Sequence, residues 1–392
     1  MRKPRVPETR KACERSMEKE MGNDCYERLA VHMAELAIGP PYNEYLVEIL
    51  RESLSEQEAE VMLSLPSGTG PFETISAGQI APRCGLSERE VETLLSDLAV
   101  RGLVYRRTTQ SGDHAYCLHQ FGYGMPQAVF WPNEDTPYAR RIADLCIRHS
   151  RKDTLVEGFG GTGTKVYRWI PARRTIQVQK QVVVPYADIE HVIQRAERIA
   201  VVNCNCRVMS RLKGRSPCDY PLEVCMKYDD LAEYVVDVGM GRDLSLDEAL
   251  ALNQKAEEAG CVHFADNVLD GEIKHACNCC PCCCWALGNY KRRRIPRDLL
   301  MACQFIRTTN QDACDGCGLC EEACPIDAVS IDGGKAEVDK DWCIGCGVCA
   351  SACPNDAIAM VRRDSVDKPL QDFSELSRVR INQRRNTSEG NA

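Results

Sequence analysis

The chain has 392 residues, of which 44% are hydrophobic and 27% are charged, and its formal net charge is −8. This length allows two or three domains, and the composition is that of a globular protein in water. The acidic balance gives no general reason to expect binding to nucleic acid or to a membrane. The N-terminal residues are crowded with Arg, Lys and Glu, unlike a secretory signal, and no apolar run approaches the roughly 20 residues that span a bilayer. We therefore expect a cytoplasmic protein.

Cysteine is unusually frequent in this chain. There are 25 cysteines, five before residue 150 and twenty after residue 200. A disulfide framework needs an oxidising compartment, and no segment addresses the chain to one. The cysteines also follow one another at very short spacings, which let several thiolates converge on one metal centre. We therefore expect metal sites, and such a thiolate-rich chain suggests an anaerobic or strongly reducing host.

The N-terminal third contains several predicted helices. Residues 1–43 are charged and helical in pattern, and Pro40-Pro41 ends this segment. Two Ser-x-x-Glu capping boxes, at residues 55–58 and 87–90, predict the starts of two further helices. The second of these has the strongest apolar periodicity in the chain, and Gly102 stands where a C-terminal glycine cap belongs.

A predicted β-hairpin over residues 103–118 follows that helix. The order helix, turn, helix and hairpin resembles a winged helix-turn-helix domain, to which we assign residues 44–125. A DNA-binding domain of this kind rewards basic side chains on its second helix. Residues 88–101 instead carry two arginines and four acids, which are Glu88, Glu90, Glu92 and Asp97. We therefore expect this domain to contact protein or to serve a structural role.

Residues 126–164 are predicted to be a linker with one helix, from Tyr138 to His149. The linker contains a Gly-x-Gly-x-x-Gly motif at residues 158–163. In a dinucleotide site this motif opens a helix, whereas here β-branched and aromatic residues follow and Pro171 interrupts them. We interpret the motif as a loop before a strand.

The most specific signal is an internal repeat within residues 301–362. The run Cys-Asp-Gly-Cys-Gly-Leu-Cys-Glu-Glu-Ala-Cys-Pro begins at Cys314 and recurs 29 residues later at Cys343, with four substitutions, all outside the shared Cys, Gly, Ala and Pro positions. Each copy is the C-x2-C-x2-C-x3-C-P run in which the fourth cysteine ligates the cluster of the other copy. Structural zinc sites, the alternative, favour two separated cysteine pairs.

This segment is similar to a two-cluster bacterial ferredoxin, which implies two [4Fe-4S] clusters with exchanged ligands. The ligands of cluster I are then Cys314, Cys317, Cys320 and Cys353. The ligands of cluster II are Cys343, Cys346, Cys349 and Cys324.

A second group of cysteines lies in residues 165–300, which we assign to a cysteine-rich α/β iron–sulfur region. Its ten candidate metal ligands are Cys204, Cys206, Cys218, Cys225, Cys277, Cys279, Cys280, Cys282, Cys283 and Cys284. Six thiols within residues 277–284 are no packing device, because such crowding invites oxidation. They could belong to one cluster per segment, to a cluster shared between the segments, or to zinc, and the spacing does not decide which thiols are ligands.

The middle pattern resembles that of a group of anaerobe 4Fe-4S ferredoxin-type proteins. These pair a C-x-C-R…C-x2-P-x-E-x-C segment with a later C-N-C-C-x-C-C-C segment and a ferredoxin module, and here the likeness covers residues 185–360. The resemblance implies electron transfer without naming a substrate. His263 and His275 lie near these cysteines as possible ligands, although a hydrogen-bonded core histidine is the more usual role.

The remaining features carry weaker predictions. Basic residues 291–294, with Arg297, could balance cluster charge or dock an acidic redox partner. Residues 363–392 are polar and without pattern, and we predict a disordered tail. Seven isolated cysteines are expected to be small buried hydrophobic residues; they are Cys13, Cys25, Cys84, Cys117, Cys146, Cys261 and Cys303.

Together these features predict an α+β multidomain protein with an N-terminal winged-helix-like domain, an α/β middle iron–sulfur region and a C-terminal two-[4Fe-4S] ferredoxin domain. We predict a multi-cluster electron-transfer protein, with one or two further iron–sulfur clusters in the middle region. It would relay single electrons at a potential of order −400 mV to or from a redox partner protein or enzyme complex. No catalytic residues, membrane or nucleic acid are expected. The alternatives are an iron–sulfur-dependent winged-helix transcription regulator and an oxidoreductase with a catalytic cluster in the middle region.

Overall fold

The computed structural model describes residues 24–172, 188–215, 218–269, 273–364, 366 and 368–389. Cys13 and most of the predicted N-terminal helical segment lie outside these ranges. The described chain begins with three helices, α1 (Cys25–Ala34), α2 (Glu44–Ser53) and α3 (Glu56–Leu63). Among the helices of the described ranges, none has the length and apolar character needed to span a membrane.

A small unit of helices and strands follows. Its elements are β1 (Ile75–Ser76), α4 (Ala77–Cys84), α5 (Glu88–Val100), β2 (Val104–Thr108) and β3 (His114–Leu118). The three strands form an antiparallel sheet in the order β1-β3-β2. Both capping boxes are present, because the hydroxyls of Ser55 and Ser87 each accept a hydrogen bond of 3.3 Å from the backbone N–H of Glu58 and Glu90.

Residues 126–164, which the sequence predicts to be a linker with one helix, contain that helix but are packed into the core. They contain a 3-10 turn (Gln127–Phe130), α6 (Pro137–His149), α7 (Lys152–Leu155) and a π-helical turn (Val156–Gly160). Phe130, Trp131 and Ile142 are buried among side chains of the neighbouring elements. Such large apolar groups gain free energy by leaving water, so the segment folds onto its neighbours.

The middle region is built on a six-stranded antiparallel sheet with the strand order β4-β8-β9-β6-β5-β7. Its strands are β4 (Tyr167–Ile170), β5 (Ile199–Asn203), β6 (Glu223–Tyr228), β7 (Arg242–Leu244), β8 (Val262–Asp266) and β9 (His275–Cys279). The helices of this region are α8 (Ile189–Arg195), α9 (Asn205–Leu212), α10 (Asp229–Asp237), α11 (Leu246–Glu258), α12 (Leu287–Arg293) and α13 (Arg297–Leu300). The first half of the Gly-rich motif lies in the π-helical turn, and only its second half, from Gly161 to Gly163, belongs to the loop that leads into β4.

The C-terminal module contains two pairs of antiparallel strands and two single-turn helices. These elements are β10 (Phe305–Thr309), α14 (Leu319–Glu322), β11 (Val329–Asp332), β12 (Lys335–Val338), α15 (Val348–Ser351) and β13 (Ile358–Arg362). Strand β10 pairs with β13, and β11 pairs with β12. Gly316 and Gly345, at equivalent positions of the two repeats, have φ values of +73° and +67° and pack against a backbone carbonyl. A side chain at either position would clash with that carbonyl.

The module packs directly against the first strand of the middle sheet. The backbone N–H of Trp169 donates to the carbonyl of Ala302 at 3.1 Å, and that of Ala172 donates to the carbonyl of Cys346 at 2.9 Å. Ile344 and Cys346 belong to the same buried apolar cluster as the N-terminal helices. The module and the rest of the described chain therefore share one hydrophobic core.

Within residues 363–392, for which the sequence predicts a disordered tail, Phe373–Glu389 form a helix, α16. Residues 365, 367 and 390–392 lie outside the described ranges. Leu376 is fully buried, and Arg380 is only 1% exposed. The Arg380 guanidinium donates to the carbonyls of Gly158 and Thr164 at 2.9 and 2.7 Å and to the hydroxyl of Thr162 at 2.6 Å. The polar composition does not predict this helix, because one of its inward-facing side chains, Arg380, is charged. Arg380 can be buried because backbone carbonyls accept its hydrogen bonds.

We predict that Leu376→Ala lowers the free energy of unfolding by about 2–5 kcal/mol, because it leaves a cavity beneath α16. Arg378→Ala, a change at an exposed position of the same helix, should cost less than about 1 kcal/mol. Denaturant titration followed by circular dichroism measures both values. Equal stability of the two variants would show that α16 does not pack in solution.

Candidate iron–sulfur and metal centres

Four cysteines of the C-terminal module surround one cavity of about 300 Å³. Cys314, Cys317 and Cys320 reach it from the first cysteine run, and Cys353 reaches it from the second. Of these, Cys317 is exposed, whereas Cys320 is buried. This cavity therefore lies close to the protein surface.

A second cavity of about 310 Å³ has the reciprocal lining. Cys343, Cys346 and Cys349 reach it from the second run, and Cys324 reaches it from the first. The three cysteines of the second run are all buried. Each cavity thus receives three thiols from one repeat and one thiol from the other.

Arg307, on strand β10, lines both cavities. Its side chain is fully buried, its Nη2 donates to Cys320 Sγ at 3.4 Å and its Nε donates to Thr309 Oγ1 at 3.2 Å. Among the described residues, Nη1 has no hydrogen-bond partner. A buried cation with an unused donor is costly unless negative charge lies beside it. The two cavities are where such negative charge would lie.

Backbone donors also point at the sulfur atoms of the module. The N–H of Ala328 donates to Cys324 Sγ at 3.2 Å, and the N–H of Gly345 donates to Cys343 Sγ at 3.4 Å. Such donors stabilise thiolate charge and tune the potential of a metal cluster bound by the sulfur.

The ten cysteines of the middle region fall into two groups. The first, which we call the inner thiol group, consists of Cys204, Cys206, Cys225, Cys277, Cys279 and Cys284. Cys225 on β6 and Cys277 on β9 are register partners, with their Sγ atoms 3.9 Å apart. Because side chains alternate along a strand, Cys279 lies on the same face as Cys277.

The other members of the inner thiol group come from turns at the end of the sheet. Cys204 and Cys206 lie where β5 passes into α9, and Cys284 follows β9. The Cys206 thiol hydrogen-bonds with those of Cys204 and Cys284, and Cys284 Sγ lies 3.2 Å from Cys279 Sγ. The six thiols thus form one contiguous chain of contacts.

The second group, which we call the outer thiol group, consists of Cys218, Cys280, Cys282 and Cys283. All four Sγ atoms lie within 4.8 Å of one another. Cys280 is buried, and Cys282 is exposed. The two groups meet at the end of β9, where Cys279 and Cys280 are neighbours in sequence.

Neighbouring groups lower the pKa of at least one thiol in each group, and in the inner thiol group a hydrogen bond from Cys277 also lowers the pKa of Cys225. A hydrogen bond from the Cys283 thiol lowers the pKa of Cys280 to about 4 against the effect of burial, and the Arg207 charge acts in the same direction. Burial alone would raise the pKa of Cys284, but hydrogen bonds from Cys206 and Cys279 lower it to about 5. In both groups these interactions favour the thiolate, which is the metal-binding form of cysteine.

The two candidate histidines have different surroundings. His263 is buried with Nε2 2.9 Å from a carboxylate oxygen of Glu257, and its Nδ1 contacts the Asn278 side chain. It is a hydrogen-bonded core histidine. His275 contacts Asp266 through Nδ1 at 3.1 Å, and its Nε2 lies 3.3 Å from Cys277 Sγ. A carboxylate behind one ring nitrogen is the usual support of a metal-binding histidine.

The basic segment 291–297 is occupied by contacts within the chain. Lys291 pairs with Asp327 at 3.0 Å, and the Arg294 guanidinium stacks over the Trp342 ring at 4.2 Å from its centroid. Arg297 donates to the carbonyl of Cys343 at 3.2 Å. The segment therefore joins the middle region to the module.

Of the six isolated cysteines within the described residues, five are buried as the sequence predicts, and Cys84 is half-buried. Burial raises the pKa of Cys117 to about 12 and that of Cys261 to about 11. These thiols stay protonated at neutral pH and serve as small apolar groups.

Sequence reasoning missed the two buried arginines of these sites. Arg207 was noted only as part of a motif, yet its Nη2 donates to the carbonyl of Asn278 at 3.0 Å and to Cys261 Sγ at 3.5 Å. Arg307 lies seven residues before the first cluster cysteine. The sequence could have indicated Arg307, because side chains alternate along a strand and Arg307 therefore faces the same side of β10 as Phe305 and Thr309.

Comparison with known proteins bears on the C-terminal module. The family model of 4Fe-4S dicluster domains matches residues 313–357, which include all eight cysteines that line the two cavities. Neither the curated proteins nor the solved structures gave a match to the chain. The C-terminal part of the chain is thus a ferredoxin-type module of the 4Fe-4S dicluster kind, with the capacity for iron–sulfur electron transfer.

Proposed function

We propose that the chain is a multi-cluster iron–sulfur protein that relays single electrons at low potential to or from a partner redox enzyme. The observation that carries this proposal is the reciprocal lining of the two cavities, three cysteines from one run and one from the other. Cluster I would be held by Cys314, Cys317, Cys320 and Cys353. Cluster II would be held by Cys343, Cys346, Cys349 and Cys324. The clusters supply one-electron chemistry, and the chain supplies ligands, burial and charge.

A further iron–sulfur cluster in the inner thiol group would extend the relay into the middle region. Its support is the set of six contiguous thiols, with His275 and Asp266 beside Cys277. The hydrogen bond between Ala172 and Cys346 joins the middle sheet to the lining of the second cavity. The inner thiol group and the module would therefore act within one packed unit.

The exposed side of the first cavity suggests where the partner docks. Cys317 is exposed there, and four exposed acids surround it in sequence; they are Asp312, Asp315, Glu321 and Glu322. A partner with a basic surface would be attracted to this side and steered towards cluster I. The chain offers no catalytic group of its own in this proposal, so the substrate would be bound by the partner.

We further propose that residues 44–125 form a winged helix-turn-helix-like domain with a structural, protein-contacting role. The element order from α3 to β3 and the sheet order β1-β3-β2 support the likeness. Arg107 of the hairpin pairs with Asp230 at 3.0 Å, and the Tyr234 hydroxyl donates to the carbonyl of Val104 at 3.1 Å. The basic end of the hairpin is therefore engaged by α10, which disfavours DNA binding by the regulator alternative.

Replacing Cys324 with Ala should remove cluster II and spare cluster I, because the lost ligand comes from the other repeat. We expect the anaerobically purified variant to lose about four iron atoms per chain and as many sulfide ions, with one cluster signal left in paramagnetic resonance. Iron analysis, sulfide analysis and resonance spectra measure these losses.

Cys303→Ala is the matched control, because Cys303 is a fully buried thiol that lines neither cavity. It should keep both cluster signals. A Cys324→Ala variant with two intact clusters would contradict the exchange of ligands.

Replacing Arg307 with Gln should shift the potentials of both module clusters to more negative values. The guanidinium lines both cavities, and its positive charge stabilises the reduced, more negative form of each cluster. Arg362→Gln, at an exposed position on the paired strand β13, is the control and should shift the potentials less. Potentiometric titration with resonance detection measures both shifts, and unchanged potentials in the Arg307 variant would rule out the assigned role.

A further inference from the structure

We propose that the outer thiol group binds one divalent metal ion, Zn²⁺ or Fe²⁺, through four cysteine thiolates. This centre would be mononuclear and separate from the iron–sulfur clusters of the relay. The proposal concerns Cys218, Cys280, Cys282 and Cys283, and it stands whether or not the electron-relay function is correct.

The distances between the sulfur atoms carry the proposal. The Sγ–Sγ separations are 3.8 Å for Cys218 and Cys280, 3.4 Å for Cys218 and Cys282, and 3.6 Å for Cys282 and Cys283. A tetrahedral ion with metal–sulfur bonds of about 2.3 Å holds its sulfurs about 3.8 Å apart. The outer thiol group therefore has the spacing of ligands that share one ion.

A cubane needs a wider arrangement, because each thiolate binds a different iron at a different corner of the cluster. The inner thiol group also contains short contacts, of 3.2 and 3.9 Å, but these run from one sulfur to the next along a chain and do not bring all of its sulfurs together. The ferredoxin module of the same chain has that wider arrangement, with four cysteines around each cavity of about 300 Å³. Among the described residues, the outer thiol group is the one set of three or more metal-ligating side chains whose ligand atoms all lie within 4.8 Å. The same chain therefore contains both a close set of four sulfurs, suited to one ion, and the wider sets around the two module cavities, suited to clusters.

The sheet explains why these four cysteines meet. Cys218 lies in the loop before β6, and the other three lie in the turn after β9. Because β6 and β9 are antiparallel neighbours, the start of one strand lies beside the end of the other. Adjacent Cys282 and Cys283 complete the set from a single turn.

Positive charge balances the site. Four thiolates around a divalent ion carry a net charge of −2, so nearby cations stabilise the complex. The Arg207 guanidinium interacts with Cys280, and Arg292 Nη1 donates to the carbonyl of Cys282 at 2.9 Å. Metal binding would release a proton from each thiol that is still protonated. The bound ion would hold the loop of Cys218 against the turn after β9.

The test compares the anaerobically purified full-length chain with a Cys282→Ala/Cys283→Ala double variant. We expect the variant to lose about one zinc or one iron atom per chain with no change in acid-labile sulfide, because a mononuclear centre contains no inorganic sulfide. The identity of the lost metal distinguishes zinc from iron. Cys261→Ala, at a buried thiol next to Arg207 but outside the group, is the matched control and should lose neither.

Two results would overturn the proposal: loss of iron together with an equal amount of sulfide, which identifies a cluster, or no loss of metal at all. The unaltered chain provides a second test that does not depend on the folding of a variant. Its iron should exceed its sulfide by about one atom, or it should contain about one zinc atom, since cubanes contain iron and sulfide in equal numbers. Equal iron and sulfide without zinc would also refute the mononuclear site. The resonance signals of the module report on the relay separately.

Discussion

The two halves of the C-terminal module depend on each other through one cysteine apiece. Cys324 lies in the first run but lines the cavity of the second, and Cys353 does the reverse. Neither half can complete a four-cysteine site alone, so cluster binding and the pairing of β10 with β13 and β11 with β12 would support each other. The glycines at the equivalent positions 316 and 345 permit the close approach of loop and strand that this exchange requires.

Buried positive charge is the second element common to these sites. Arg307 lies between the two module cavities, and Arg207 lies where the inner and outer thiol groups meet. Each of these arginine residues is 4% exposed or less. Taking an unpaired arginine out of water is costly, and negative metal–thiolate centres offset that cost. Thiolate charge beside each arginine would therefore add to the stability of its buried position, in addition to the carbonyl that Arg207 already engages.

Local sequence patterns predicted the elements whose structure depends on near neighbours. The residues that determine the structure lie within a few positions of one another in three cases: the Ser55 and Ser87 capping boxes, the hairpin after α5 and the duplicated cysteine run. The helix α16 and the packed segment around Trp131 were missed, because Arg380 and Trp131 are buried by partners far away in sequence. The separation of the ten middle cysteines into two groups was also beyond sequence reasoning. It follows from the adjacency of β6 and β9, which spacing along the chain does not encode.

Iron and sulfide analysis of the anaerobically purified chain, combined with paramagnetic resonance during stepwise reduction, shows whether the C-terminal module holds two clusters. We expect about eight or more iron atoms per chain, with two cluster signals that appear at low potential, of order −400 mV. Little iron, together with a zinc content that matches the cysteine groups of the C-terminal module, would contradict this expectation.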